Sequence, residues 1–290
     1  MKPSRQAAPV LKQFANFWTL IGQPPGKKEW TLEEKFRQSK KAGFNVVATG
    51  LQPEVGELAR KYGMESISFF DANGKTYRDR LEAAARIKPA RLNVQLCDHD
   101  TPPKEAAAVW LKLEALARKM GLDATLDLEV HRDTCTETPE KVWEIAALYK
   151  KATGKKLRFS WDFSHFAVVK HLSPPFADRL LVRTDMIQLS RQLHFRPFNG
   201  HHCQIPVTDG KGGETPEIKD YLRFVDALMA CWLKGAKGGE VLYACPEMGP
   251  IVSGYGLSSF PDPWQDAIVL RGKIEALWKK NLRKWSGGKR

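Results

Sequence analysis

No Cys-x-x-Cys pair occurs in this sequence, and its five cysteines (Cys97, Cys135, Cys203, Cys231 and Cys245) are an odd number spread along the chain. That argues against a disulfide framework and a cysteine-rich zinc site, and it points to reduced thiols in a reducing compartment. Cys203 sits beside two histidines and could be a soft ligand, although packing is the commoner use of a lone cysteine. There is no apolar run long enough to cross a bilayer. Met1-Lys2-Pro3-Ser4-Arg5 leads into a mixed segment holding Lys12 and Gln13, not the apolar core of a signal peptide, so a cytoplasmic protein is expected. A Gly-x-Gly-x-x-Gly after the first apolar run is also missing, which removes support for dinucleotide binding. With no linker rich in Pro, Gly or Ser and no short-period repeat, one domain over residues 1–290 is expected.

What the chain has in excess is positive charge: 46 Lys and Arg against 33 Asp and Glu, a formal net charge of +13. Such a balance invites a nucleic-acid reading. Much of it, however, lies at one end, where residues 271–290 hold eight Lys or Arg and one Glu. Ile274, Leu277, Trp278 and Leu282 follow helical spacing there, which implies a basic amphipathic helix or tail with a solvated face. Nucleic acid is therefore not the expected partner. Membrane docking would need more apolar bulk than Trp278 and Trp285 provide. Those tryptophans are expected to pack on the rest of the fold or on another subunit, leaving room for a homo-oligomer.

β-rich runs alternate with helical patterns along the chain. The expected strands are Phe14 to Ile21, Phe44 to Thr49, Glu65 to Phe70, Leu92 to Leu96, Thr125 to Val130, Leu157 to Trp161, Met186 to Phe195 and Val241 to Pro246. Helices are expected over 31–42, opened by Thr31 and Glu34 as a capping box, and over 53–62, closed by Gly63. Further helices are expected over 77–87, 103–120, 139–153 and 218–232. Strands that alternate with helices pair in parallel through right-handed crossovers. Eight of them predict an α/β fold, a closed (β/α)8 TIM barrel.

In such a barrel the C-terminal strand ends converge on one face, where catalysis takes place. The last four expected strands each end in a chemically active group: Glu129, Asp162, His194 and Glu247. Singly, a strand-end carboxylate is most often solvated or a helix cap, and a lone histidine is most often a satisfied core residue. Together, two Glu, one Asp and one His form an oxygen-rich set with one imidazole, which suits one divalent metal (Mn, Mg, Co or Zn) with open positions for substrate.

The segment Leu126-Asp127-Leu128-Glu129-Val130-His131, the pair Asp162-x-x-His165, a strand carrying His194 and a final Glu247 resemble the xylose-isomerase-like barrel superfamily. The nearest branch is the sugar (phosphate) isomerases and epimerases of the tagatose-epimerase and hydroxypyruvate-isomerase type. The resemblance spans most of the chain, but its motifs are short and lie between 126 and 250. It implies a metal held by Glu129, Asp162, His194 and Glu247, with the two glutamates as an acid/base pair on opposite faces of a bound ketose. His165 would bind a substrate oxygen. The implied substrate is a small sugar or keto acid, converted through a metal-stabilised enediolate. Aldolase and dehydratase chemistry begin with the same proton abstraction and stay open.

Around the seventh strand the sequence departs from that family, whose usual pattern has an Asp two residues after the histidine. Here that place is Arg196, followed by Pro197-Phe198-Asn199-Gly200-His201-His202. Arg196 could fork onto a carboxylate or phosphate of the substrate, or pair with a neighbouring acid. His202 is a candidate substrate contact, and His201 or His202 could replace His194 as ligand. Two other readings compete. An abasic-site DNA endonuclease resembles the chain in Asp162-x-x-His165 and the final Glu, but it needs several zinc ions and further histidines, of which only His99 is on offer. A non-catalytic barrel binding protein is the second, if the Arg196 loop blocks the metal's open positions.

Overall fold

In the computed structural model, which describes residues 7–255 and 257–287, eight parallel strands close into a barrel in chain order. They are β1 Val10–Asn16, β2 Val46–Thr49, β3 Glu65–Ala72, β4 Arg91–Leu96, β5 Leu126–Val130, β6 Phe159–Asp162, β7 Gln192–Phe195 and β8 Val241–Pro246. The helices are α1 Leu32–Lys41, α2 Val55–Tyr62, α3 Tyr77–Ile87, α4 Pro103–Lys119, α5 Pro139–Thr153, α6 Phe163–Val169, α7 Ala177–Leu180, α8 Thr184–Ile187, α9 Ile218–Gly235 and α10 Pro263–Leu282. The expected (β/α)8 architecture is the observed one. Met1 to Gln6, Gly256 and Gly288 to Arg290 lie outside the described residues, and with them the first residues of the chain and the end of the basic tail. No helix of the described residues is long and apolar enough to cross a membrane.

Strand periodicity sorts the side chains into two layers. Side chains alternate across a strand, so each β-strand lines the barrel with every second residue and faces the helices with the rest. On β5 the helix-facing residues are Leu126, Leu128 and Val130, and on β7 they are Leu193 and Phe195. All five belong to the continuous apolar sheath between barrel and helices. Asp127 and Glu129 take the opposite face, as do Gln192 and His194. Phe14, Val46, Ala48, Ile67, Tyr243 and Cys245 form a separate apolar cluster inside the barrel. Trp110, Trp161 and Trp232 are fully buried in the sheath, where truncation of one to Ala costs about 3–5 kcal/mol.

Several expected boundaries change. The first strand is Val10–Asn16, not Phe14 to Ile21. Its polar residues disguised it: Lys12 pairs with Glu65, and Gln13 donates to the Arg271 carbonyl at 3.1 Å. Residues 17–22 form turns instead, started by Asn16 Oδ1 accepting the Trp18 amide at 3.0 Å. The third strand runs on to Ala72, two residues beyond its expected end at Phe70. The run starting at Met186 opens as the short helix α8, and only Gln192–Phe195 is strand. The C-terminal helix starts at Pro263, not at 271, with Asp262 as its N-cap. It is a packed element: Trp264, Leu270, Ile274 and Trp278 are buried, and Trp278 lies 5.8 Å from the Trp232 ring.

Other local expectations match the chain. Thr31 and Glu34 form the capping box of α1, and Gly63 ends α2 in the left-handed region with φ of 57°, a conformation glycine adopts without steric strain.

Candidate functional site

The site is built by the C-terminal ends of β5 to β8. Glu129 projects from β5, Asp162 ends β6, His194 stands on β7 and Glu247 follows β8. Register sets their closeness: Asp162 pairs with His194, and His194 with Cys245, across neighbouring strands. All four side chains are buried. Beside them opens a cavity of about 400 Å³, lined by Glu129, His194, Glu247, Arg196, His131 and Trp18 among others. That volume falls within the usual range for small-ligand sites.

Three of the four groups converge. Asp162, His194 and Glu247 each offer a ligand atom, all within 4.8 Å of one another. Glu129 stands just outside this triad, with Oε1 at 3.4 Å from His194 Nδ1, and its Oε2 is buried without a partner among the described residues.

The feature that organises the site is Arg196, one residue beyond β7 and on the same side as His194. Its side chain is 1% exposed. Nη2 donates to Glu247 Oε1 at 2.9 Å and lies 3.0 Å from Asp162 Oδ2. Its guanidinium carbon sits 5.3 Å from the Trp18 ring and 4.8 Å from the Tyr255 ring, within cation–π range. Of the two uses open to Arg196 in the sequence, pairing with neighbouring acids is the one observed. Nε and Nη1 have no partner among the described residues.

Asp162 divides its oxygens between two tasks. Oδ1 accepts the Ser164 amide at 2.9 Å and caps α6. Oδ2 meets Arg196 and, at 3.2 Å, His165 Nε2. Asp162 is absent from the cavity wall because these neighbours cover it.

Electrostatics follow from this packing. Desolvation pushes the Glu129 carboxyl up to about 7, with Glu247 adding to the rise against the opposing pull of His194. Burial alone would depress His194, but the Glu247 carboxylate, 2.6 Å from Nδ1, overcomes it and raises the imidazole to about 9. Burial would likewise raise Asp162 and Glu247; Arg196 reverses that and holds both well below the usual carboxylate range. His165 is depressed by burial. At neutral pH the site therefore carries two fixed anions, Asp162 and Glu247, balanced by two cations, Arg196 and His194. Glu129 is poised between its charged and neutral forms.

These contacts decide whether a divalent metal fits. The donor types of the triad suit one. In the arrangement present, Arg196 already holds one oxygen of Asp162 and one of Glu247, and Asp162 is closed off from the cavity. With Arg196 in place the residues do not fit the ion, although Asp162 Oδ2, Glu247 Oε2 and both His194 ring nitrogens have no hydrogen-bond partner among the described residues.

Two expected substrate contacts are corrected. His165 is fully buried behind His131, with ring centroids 4.6 Å apart, so His131 and not His165 lines the cavity. His131 Nδ1 donates to the Arg132 carbonyl at 2.6 Å, which leaves Nε2 as an acceptor. His202 is exposed and not on the cavity wall, as is His201, so neither replaces His194. Asn199 Oδ1 accepts the amides of both histidines at 2.9 and 2.8 Å, a turn that carries them outward. Gly200 packs so closely on the Leu172 carbonyl that a Cβ would lie 1.6 Å from it. His99 is exposed beside Asp100. Trp18 and Tyr255, which flank Arg196, had no readable signal: one lies in a run expected to be strand, the other in a loop.

Neither a protein-family model nor a curated relative matches the chain. Solved structures match at the level of fold. A protein provisionally described as a xylose isomerase from Rhodospirillum rubrum has a TM-score of 0.58 at 15% identity, covering 92% of this chain and 99% of that one. The IOLI protein, solved with a zinc atom, has a TM-score of 0.53 at 11% identity and coverage of 95% and 99%. A protein assigned as the 3-DHS dehydratase AsbF of Bacillus anthracis also scores 0.53, at 12% identity and coverage of 92% and 98%. The barrel fold is thus shared with these solved structures.

Proposed function

We propose that this chain is an enzyme that moves a proton on the carbon beside a carbonyl group, an isomerase or epimerase of a small sugar or sugar-like keto or hydroxy compound. The observation that carries this reading is Glu129: a buried carboxyl with a free oxygen on the wall of a small-ligand cavity, pushed up to about 7. A general base works best when its pKa lies near the operating pH.

The groups around the cavity divide the work. Glu129 takes the carbon-bound proton; the bonding pair moves toward the carbonyl oxygen and leaves an enediolate. Glu247, held as an anion by Arg196, is a poor proton carrier and serves to anchor the cations of the site. This departs from the expectation of two equivalent acid/base glutamates. His194, cationic at neutral pH beside Glu247, is the better placed group to return a proton. His131 Nε2 can accept a hydrogen bond from a substrate hydroxyl.

A second reading keeps the divalent metal, and the convergence of Asp162, His194 and Glu247 favours it. Were Arg196 displaced, these three would hold Mn, Mg, Co or Zn, with Glu129 beside them, and the ion would supply Lewis-acid stabilisation of the enediolate.

Incubating the protein with a panel of ketoses, aldoses and keto acids in deuterated water tests the proposed reaction. Incorporation of deuterium beside the carbonyl of at least one compound is expected, lowered by about 100-fold or more in Glu129→Gln. No incorporation anywhere in the panel, or an unaffected Glu129→Gln, would count against Glu129 as base.

A further inference from the structure

We propose that Arg196 is the resident cation of this barrel, standing where the donor triad would otherwise hold a divalent metal and presenting its free N–H groups to the substrate oxygen. The inference rests on the reading of the same site as an enediolate-forming centre.

Three observations carry it. The first is position: one nitrogen, Nη2, reaches both Asp162 Oδ2 and Glu247 Oε1, at 3.0 and 2.9 Å. Those residues supply two of the three ligand groups of the triad, so a metal and the guanidinium compete for the same carboxylates. The second is access. Asp162 is 0% exposed, covered by Arg196, His165 and the α6 amide it caps. The third is the donor inventory. An arginine fork has five N–H groups, and Nε and Nη1 of Arg196 are buried yet unpartnered among the described residues. A buried donor left unpaired is unfavourable, and a cavity-lining arginine with open donors is arranged for a negatively charged or carbonyl oxygen.

The chemistry closes without another component. When Glu129 removes the proton, the C–H bond breaks, a C=C bond forms and the carbonyl pair becomes an oxyanion. The Arg196 donors take that charge, and proton return to carbon reverses the electron flow. No oxidant or reductant is needed. The flat faces of Trp18 and Tyr255 hold the guanidinium in place, as preorganised stabilisation of an oxyanion requires.

The test is Mn²⁺ binding by calorimetry and elemental analysis, on the wild-type chain and Arg196→Ala, each stripped with chelator and reloaded. The wild type is expected to keep far less than one ion per chain, with a thermal midpoint that neither chelator nor Mn²⁺ moves. Arg196→Ala is expected to bind Mn²⁺ on the order of 100-fold more tightly, because the freed carboxylates are buried anions in want of a cation. It is also expected to gain thermal stability with Mn²⁺. If Arg196→Ala fails to fold in chelator, refolding in millimolar Mn²⁺ reads the same point, and recovery supports the proposal. One ion per wild-type chain with a chelator-sensitive midpoint overturns it, as does a variant that gains no metal and is not rescued by it. Because these readouts are of binding and stability, a failed deuterium-incorporation panel would remove the proposed reaction while leaving Arg196 as the resident cation.

Discussion

The barrel buries two arginine–aspartate pairs, one at each end, and they differ in a way that separates scaffold from site. At the N-terminal end, Arg91 meets Asp127 through Nε at 2.9 Å and Nη2 at 2.5 Å, while Nη1 donates to the Ala124 carbonyl at 2.8 Å. Gln192 adds a third hydrogen bond to the same carboxylate oxygen at 2.8 Å. Every guanidinium nitrogen there has an oxygen partner. At the C-terminal end, Arg196 spends one nitrogen on two carboxylates and leaves two nitrogens open. The first satisfies every nitrogen of the guanidinium, as a buried ion pair needs in order to persist, and of that pair only Asp127 Oδ1 has no hydrogen-bond partner among the described residues. The second keeps unsatisfied donors beside a cavity, and donors without partners are a liability to folding that a bound substrate would relieve. The same strands supply both ends: β5 carries Asp127 and Glu129, and β7 carries Gln192 and His194, two residues apart on one face.

The largest effect that would break this comparison is on stability. Arg91→Met strips Asp127 of its main partner and is expected to destabilise by about 3–5 kcal/mol in urea unfolding, a loss that added Mn²⁺ does not recover. Arg196→Ala is expected to lose a similar amount in chelator and, unlike Arg91→Met, to regain most of it with Mn²⁺. Equal insensitivity of the two variants to metal would erase the distinction between the ends.

A smaller effect is the response to pH. Glu129 has its folded value raised from 4.5 to about 7, so the folded state holds that proton more tightly, and stability falls as pH rises across this interval. His194 is raised from 6.5 to about 9; its contribution is fully present below 6.5 and is lost as pH rises through about 9. Both terms have the same sign, so in chelator the thermal midpoint is expected to fall from the acidic side through about pH 9. Glu129→Gln should fall less on the way up to about pH 7, where the Glu129 share of the slope lies, and should keep the alkaline drop that belongs to His194. The deuterium-incorporation rate should move the other way, rising through about pH 7 as the base ionises. A midpoint flat from neutral to alkaline pH would show that the buried charges are not those described.

The smallest effect is expected at His202. The residue is exposed and turned away from the cavity by Asn199, so His202→Ala should leave both the thermal midpoint and deuterium incorporation unchanged. His131→Ala, on the cavity wall, should weaken substrate binding with little effect on the midpoint.

How much of this was legible in the chain depends on what kind of signal each residue carries. Strand–helix alternation is written in local composition, and the barrel followed from it. The strand-end acids and His194 were readable because a parallel barrel sends its C-terminal strand ends to one face. The first strand was not, because Lys12 and Gln13 look unlike a strand until Glu65 and the Arg271 carbonyl pair with them from far along the chain. Arg196 was visible as an oddity, but its partners were not, since the contact to Asp162 depends on the register between β6 and β7. Asp162 is both cap and site residue, with Oδ1 on the Ser164 amide and Oδ2 on Arg196. Trp18 and Tyr255 meet only through loop geometry, and no local pattern reports that.

The measurement that most directly tests whether this barrel moves a carbon-bound proton with its own cation is deuterium incorporation into its best panel substrate, assayed in excess chelator. Incorporation that persists unchanged in chelator and disappears in Glu129→Gln is the expected result. Incorporation that vanishes in chelator and returns with Mn²⁺ would contradict it, and would give the enediolate to a metal held by Asp162, His194 and Glu247.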